Sequence, residues 1–147
     1  MIAQMVFGFL LGLVALLSAL FYAGPGERGE QKSQAYALGF VAYRNAVNAY
    51  ALEHKTPGTV PESALELPTG FMAGDWTNAV VSDGAGGLIC YVYAPSGGDE
   101  ILAIQDLLHY SAAVGWNNHG VLYRNGSFYP LPDFIAHGSV VSLIGIQ

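Results

Sequence analysis

Two scarcities narrow the chemistry open to this chain before any motif is sought. Cys90 is its one cysteine, so no disulfide can close within the chain and no cysteine-based metal site can be drawn. Basic residues are few: 5 Lys and Arg stand against 11 Asp and Glu, a net charge of −6. A chain of that sign offers no electrostatic footprint to a phosphate backbone, which disfavours nucleic-acid binding. Its attraction to anionic lipid headgroups is correspondingly weak. A third absence is local, since Ile2–Ala23 passes without a charged side chain and no Lys or Arg precedes Arg28.

As a helix at ~1.5 Å per residue, that stretch would be about 33 Å long, enough to cross a hydrocarbon core of ~30 Å. The expected organisation is a transmembrane anchor over residues 1–24, a hinge over 25–30 where Gly and Pro interrupt the run, and a soluble domain over 31–147. The lipid bilayer is the expected partner of residues 2–23. A cleaved signal peptide would need a basic leading region and a small-x-small cleavage site, and neither is found. Gly8-Phe9 imitates a prepilin processing site, but the fifth residue of the helix after it would be Leu13 rather than Glu. A buried core helix of a soluble protein is the remaining alternative. Arg28 and Lys32 are interleaved with Glu27 and Glu30, so the charge bias that sets membrane orientation is small. Within the stretch, Gly8, Gly12, Ala15 and Ala19 share one helical face. Small residues let helices pack closely in lipid, making this a candidate helix-contact face and a route to self-association. The plain alternative is that Gly and Ala are common in membrane helices.

Periodicity resumes from Gln31 to His54. Tyr36, Phe40, Tyr43, Val47 and Tyr50 recur at helical spacing and predict an amphipathic helix with an apolar face, Arg44 lying off it. Thr56-Pro57-Gly58 ends it, and a short element follows between Pro61 and Pro68. Thr77–Ser82 and Leu88–Ala94, joined by the Gly-rich Asp83–Gly87, read as a hairpin. Asp99 is placed to cap a second helix running through Ala113, with Ile101, Ile104, Leu108 and Ala112 inward and Gly115 as its stop. Val121–Arg124 and Ser127–Leu131 flank Asn125-Gly126, the strongest short hairpin signal in the chain. Ser139–Ile146 is apolar, too short to span a membrane, and fits a closing strand of the sheet.

The sequence contains no P-loop, dinucleotide-binding glycine motif, nucleophile elbow or HExxH pair, the spacings that would announce phosphate, cofactor, acyl-transfer or zinc chemistry. The expectation is therefore no catalytic residue, no cofactor and no metal. Cys90, within Leu88–Tyr93, suits a buried thiol on a strand. The most conspicuous polar-aromatic residues are Trp76 and the cluster Trp116, Asn117 and His119. They form a candidate interaction surface, because Trp joins large area to one donor. A half-buried position at the edge of a small core would serve them equally.

Taken in order, Asn48-Ala49-Tyr50-Ala51, Val60-Pro61, Leu65-x-Leu67-Pro68-x-Gly70-Phe71, Trp76-Thr77-Asn78, Leu131-Pro132-Asp133 and Gly138-Ser139-Val140-Val141 resemble the small PilM-type inner-membrane proteins of plasmid-type (type IVB, thin) pilus systems. These are distinct from the actin-like ATPases that share the name. The layout is also similar to that of pilins and pseudopilins. The resemblance implies a non-enzymatic component of a pilus basal body or pilin-transport apparatus, anchored in the bacterial inner membrane by one span with its domain in the periplasm. Its implied partners are other inner-membrane or basal-body pilus proteins, pilins among them. The expected fold is α+β, an N-terminal transmembrane helix followed by an amphipathic helix on a small antiparallel sheet. Two alternatives stand beside this. One is a minor pilin or pseudopilin built into the fibre, and the other is a membrane-tethered enzyme using Cys90 or a histidine.

Overall fold

The computed structural model describes residues 25–124 and 127–147. The expected anchor, its candidate face at Gly8, Gly12, Ala15 and Ala19, and the Asn125-Gly126 turn lie outside the described residues. Among the described residues, no helix is long and apolar enough to cross a membrane. The chain divides into two compact units, Met1–Lys32 and Ser33–Gln147. The second unit is the folded domain.

Helix α1 runs Pro25–His54. Residues 25–30, expected as a hinge, are instead helical. Gly costs a helix about 1 kcal/mol relative to Ala and Pro removes one donor. Each residue added to an existing helix contributes a backbone hydrogen bond, and a long helix absorbs such local costs. Ala37, Phe40, Tyr43, Val47 and Ala51 are buried, the i, i+3, i+4 spacing of one helical face. Tyr36 and Tyr50 fall at its half-buried margins. Full burial of Phe40 and Val47 contributes about 1.5–3 kcal/mol each.

Among the described residues, six strands form one antiparallel sheet: β1 (Thr77–Ser82), β2 (Leu88–Pro95), β3 (Val114–Asn118), β4 (Val121–Arg124), β5 (Ser127–Pro130) and β6 (Ser139–Ile146). Their spatial order is β1-β2-β6-β3-β4-β5. Helix α2 (Gly98–Leu107) connects β2 to β3. The α+β expectation is met, and both helices expected of the domain are present. Period-two alternation sorts the strand residues. Cys90, Val92, Ala94, Val114 and Val140 meet α1 and Ile104 of α2 in the main core. On the opposite face Tyr91, Leu122 and Val141 pack with Leu131 and Ile135 of the β5–β6 connection.

Three local readings are corrected. Strand β6 is not a closing strand, because it lies between β2 and β3 and pairs with both. Helix α2 starts earlier than expected, its cap being Gly97, whose N–H donates to Glu100 Oε2 at 2.7 Å. It also stops at Leu107, not Ala113. The N–H of His109 bonds to the carbonyl of Asp106 and that of Tyr110 to Gln105, the paired bonds of a Schellman ending. His109 takes the left-handed position at φ 50°. Residues 114–118 form β3, which was missed. Finally, Arg44 is not off the packed face: its Nε donates to Ser142 Oγ on β6 at 2.5 Å.

Candidate functional site

Trp76 stands just before β1 and closes an aromatic cluster against α1. Its ring centroid lies 5.9 Å from Tyr36, 5.8 Å from Tyr43 and 5.4 Å from Phe71. A side chain at Gly39 or Gly74 would overlap the indole, so both glycines are small because Trp76 lies on them. The indole Nε1 is buried without a hydrogen-bond partner. Trp76 therefore fixes the 68–76 loop to α1. Burial raises the Tyr36 and Tyr43 hydroxyl pKa values, opposed by hydrogen bonds to Ser96 and Asn78 respectively.

The other predicted residues come together elsewhere, on the β3–β4 hairpin. Trp116 is directly opposite Tyr123, 4.6 Å between centroids. Tyr123 is in turn opposite Phe128 of β5, which is 69% exposed. These rings make a cross-strand ladder ending at the sheet margin. Asn117 points to the other face and is buried. Its Nδ2 donates to the carbonyls of Ile135 and Ala136 at 2.6 and 3.1 Å, and its Oδ1 accepts from Gly120 N. It braces the hairpin to the 131–138 segment. His119 and Gly120 have φ of 51° and 83°, the positive pair that a two-residue type I′ hairpin requires. The His119 ring stacks on His137, 4.1 Å between centroids and 13° between planes. Its backbone N–H donates to His137 Nδ1 at 3.2 Å.

Sequence reasoning missed Asn78, a second buried amide. Its Oδ1 accepts from Val60 N at 2.7 Å, and its Nδ2 donates to Tyr43 Oη at 2.7 Å and to the Val60 carbonyl at 3.0 Å. One side chain thus joins α1, the 58–60 segment and β1. A buried polar residue in the run Thr77–Ser82 was the available signal. Cys90 is fully buried, and desolvation pushes its thiol up to about 11, partly opposed by the nearby Arg44 charge. Burial in turn lowers the Arg44 pKa. A thiol held protonated in this way is a poor nucleophile. Among the described residues, no group of three or more His, Cys, Asp or Glu could hold a metal ion.

A concavity lies on the other side of α1. It is a groove of about 770 Å³ between that helix and residues 64–68. Val41, Ala42, Ala46 and Ala49 line its α1 side, Leu38 stands at its wall 60% exposed, and Ala64 and Pro68 face them. Glu53 and Glu66 are also part of the lining.

Fold and site together define a small α+β domain in which buried amides brace the fold and α1 borders a groove of mixed apolar and polar lining. The chain belongs to the PilM family, whose model matches residues 13–143, and so to a pilus-related family. A crystal structure described as protein PilM from Escherichia coli B7A is similar in fold. It shares 20% identity, has a TM-score of 0.60, and the match covers 78% of this chain and 92% of that one. Comparison with curated proteins found no match.

Proposed function

We propose that this protein is a non-enzymatic assembly factor of a pilus system, a tethered scaffold that holds other pilus proteins at the bacterial inner membrane with its domain on the periplasmic side. The observation that carries the reading is the extent of the family match. It begins at residue 13, inside the uncharged stretch, and so takes in the second half of that stretch together with the folded domain. Confinement near a bilayer raises a domain's effective concentration toward other membrane components, which promotes assembly without bond-making chemistry. The state of Cys90 is consistent with this, since a buried, protonated thiol does not suit the tethered-enzyme alternative.

A deletion strain tests the proposal. Pili are expected to be lost and restored by the wild-type chain and by Cys90→Ala alike. Normal piliation in the deletion strain overturns the assembly role, and failure of Cys90→Ala despite normal folding favours the enzyme. The mass of the mature N-terminus separates anchor from pilin: removal of the first eight residues, ending at Gly8, assigns the chain to the fibre.

A further inference from the structure

We infer that the groove between α1 and residues 64–68 docks an amphipathic helix of a partner chain, through an apolar face and a basic end. This deepens the scaffold reading and rests on it for the partner's source. Three observations on the groove converge. Its α1 side carries the short or apolar side chains of Val41, Ala42, Ala46 and Ala49, with Asn45 among them and Tyr50, Glu53 and His54 toward the C-terminal end. Small residues bring helix axes close, so that a partner's larger side chains can fill the space above them. Leu38 is left 60% exposed at the wall, apolar area that a second helix would cover. From Leu38 to His54 the lining follows α1 for about 24 Å at ~1.5 Å per residue, the length of an ordinary globular helix.

The occupant's chemistry follows from charge. The acidic lining residues are Glu53 and Glu66, with His54 beside Glu53 and its Nδ1 at 3.0 Å from the Tyr50 carbonyl; Glu53 is in the last turn of α1, where the helix dipole adds negative potential. Lys32, far along α1 from that end, and Arg44, turned toward Ser142, do not line the groove. The lining is thus apolar at Leu38, Val41, Ala42, Ala46 and Ala49, polar at Asn45, and negative at Glu53 by the C-terminal end of α1 and at Glu66 on the facing segment. A helix bearing Lys or Arg at the corresponding end matches it, whereas an acidic one is repelled. A second copy offering this same face is a poorer match, because its lining holds no lysine or arginine to meet Glu53 and Glu66.

The test uses the full chain in nanodiscs of zwitterionic lipid, with empty nanodiscs as the blank. Two fluorescent helical peptides of about 18 residues, long enough to span the groove, share an alanine–leucine face and differ in ending with lysines or glutamates. The lysine peptide is expected to bind saturably and roughly tenfold more tightly, the scale of two exposed ion pairs exchanged for two repulsions. Ala46→Trp fills the groove and should abolish binding, and Glu53→Lys with Glu66→Lys should reverse the preference. Circular dichroism and thermal melting establish that each variant is folded. Equal binding of the two peptides overturns the proposal, as does full binding by folded Ala46→Trp. Self-association that Ala46→Trp dissolves overturns it in favour of a second copy. A strain that needs this protein for piliation, but whose protein fails the peptide test, loses the groove and keeps the scaffold.

Discussion

Replacing Asn78 by leucine probes the joint between helix and sheet. The side chain is 2% exposed, so leucine occupies similar volume while removing three hydrogen bonds. Two groups, the Val60 N–H and carbonyl, lose their Asn78 partner, and Tyr43 Oη loses its donor. Net hydrogen-bond contributions of ~1 kcal/mol each give about 3 kcal/mol, and groups left buried and unsatisfied add to it, for an expected loss of about 3–5 kcal/mol. Domains of this size have roughly 5–15 kcal/mol in all. Tyr43→Phe is the control: it removes one bond, leaves Asn78 Nδ2 bonded to Val60, and should cost about 1 kcal/mol. Urea titration of the full chain in mild detergent, followed by tryptophan fluorescence, reads both. With a slope of ~1.5 kcal/mol per molar, the leucine midpoint falls by about 2–3 M. A loss no larger than that of Tyr43→Phe refutes the idea that Asn78 holds the joint.

Four further outcomes follow from the same geometry. Cys90 should resist alkylation at neutral pH in the native chain and react once urea unfolds it, as mass spectrometry would show; rapid native labelling contradicts its burial. The Cys90 thiol, held near 11 in the fold against 9.0 ordinarily, binds its proton more tightly in the native state. Its stabilising contribution is complete below pH about 9 and lost as pH rises toward 11, so Cys90→Ala should flatten the alkaline fall in melting temperature over that window. Gly115→Ala places a methyl against the Tyr123 carbonyl, Leu122 and Arg124 and should destabilise the β3–β4 hairpin by about 1–3 kcal/mol, measurable by thermal melting. Asn117→Ala should cost about 2–4 kcal/mol through its three lost bonds, with faster hydrogen exchange at Gly120 as the local sign.

Where elements carried their own chemistry, the sequence was readable. Thr77–Ser82 is bounded as expected because β-branched residues meet a Gly-rich turn, and Asp83 Oδ1 accepts from Ala85 and Gly87 to form it. What was missed turned on histidines standing where glycine is the usual signal. His109 ends α2 in a left-handed conformation and His119 opens the β3–β4 hairpin in another. Both conformations cost a residue with a Cβ a little energy, and tertiary contacts supply it: the His119 ring stacks on His137. The helix was consequently drawn through Ala113, and β3, which begins at Val114, was missed. Of the candidate interaction residues, their type was informative and their role was not. Trp76 and Asn117 face inward because partners far along the chain, Tyr36 and Ile135, wait there, and no local pattern reports such pairings.

Strand β6 separates the β1–β2 hairpin from the β3–β4–β5 meander, although it is the last of the described strands to be synthesised. Until residues 139–146 are available, each half keeps a row of unpaired backbone groups along the edge that β6 will occupy, the state most open to wrong partners. Pairings so distant in sequence make a fold slow to complete. A chain made from its N-terminus therefore carries a built-in delay, and a truncation within β6 would leave two exposed sheet fragments rather than a shortened domain.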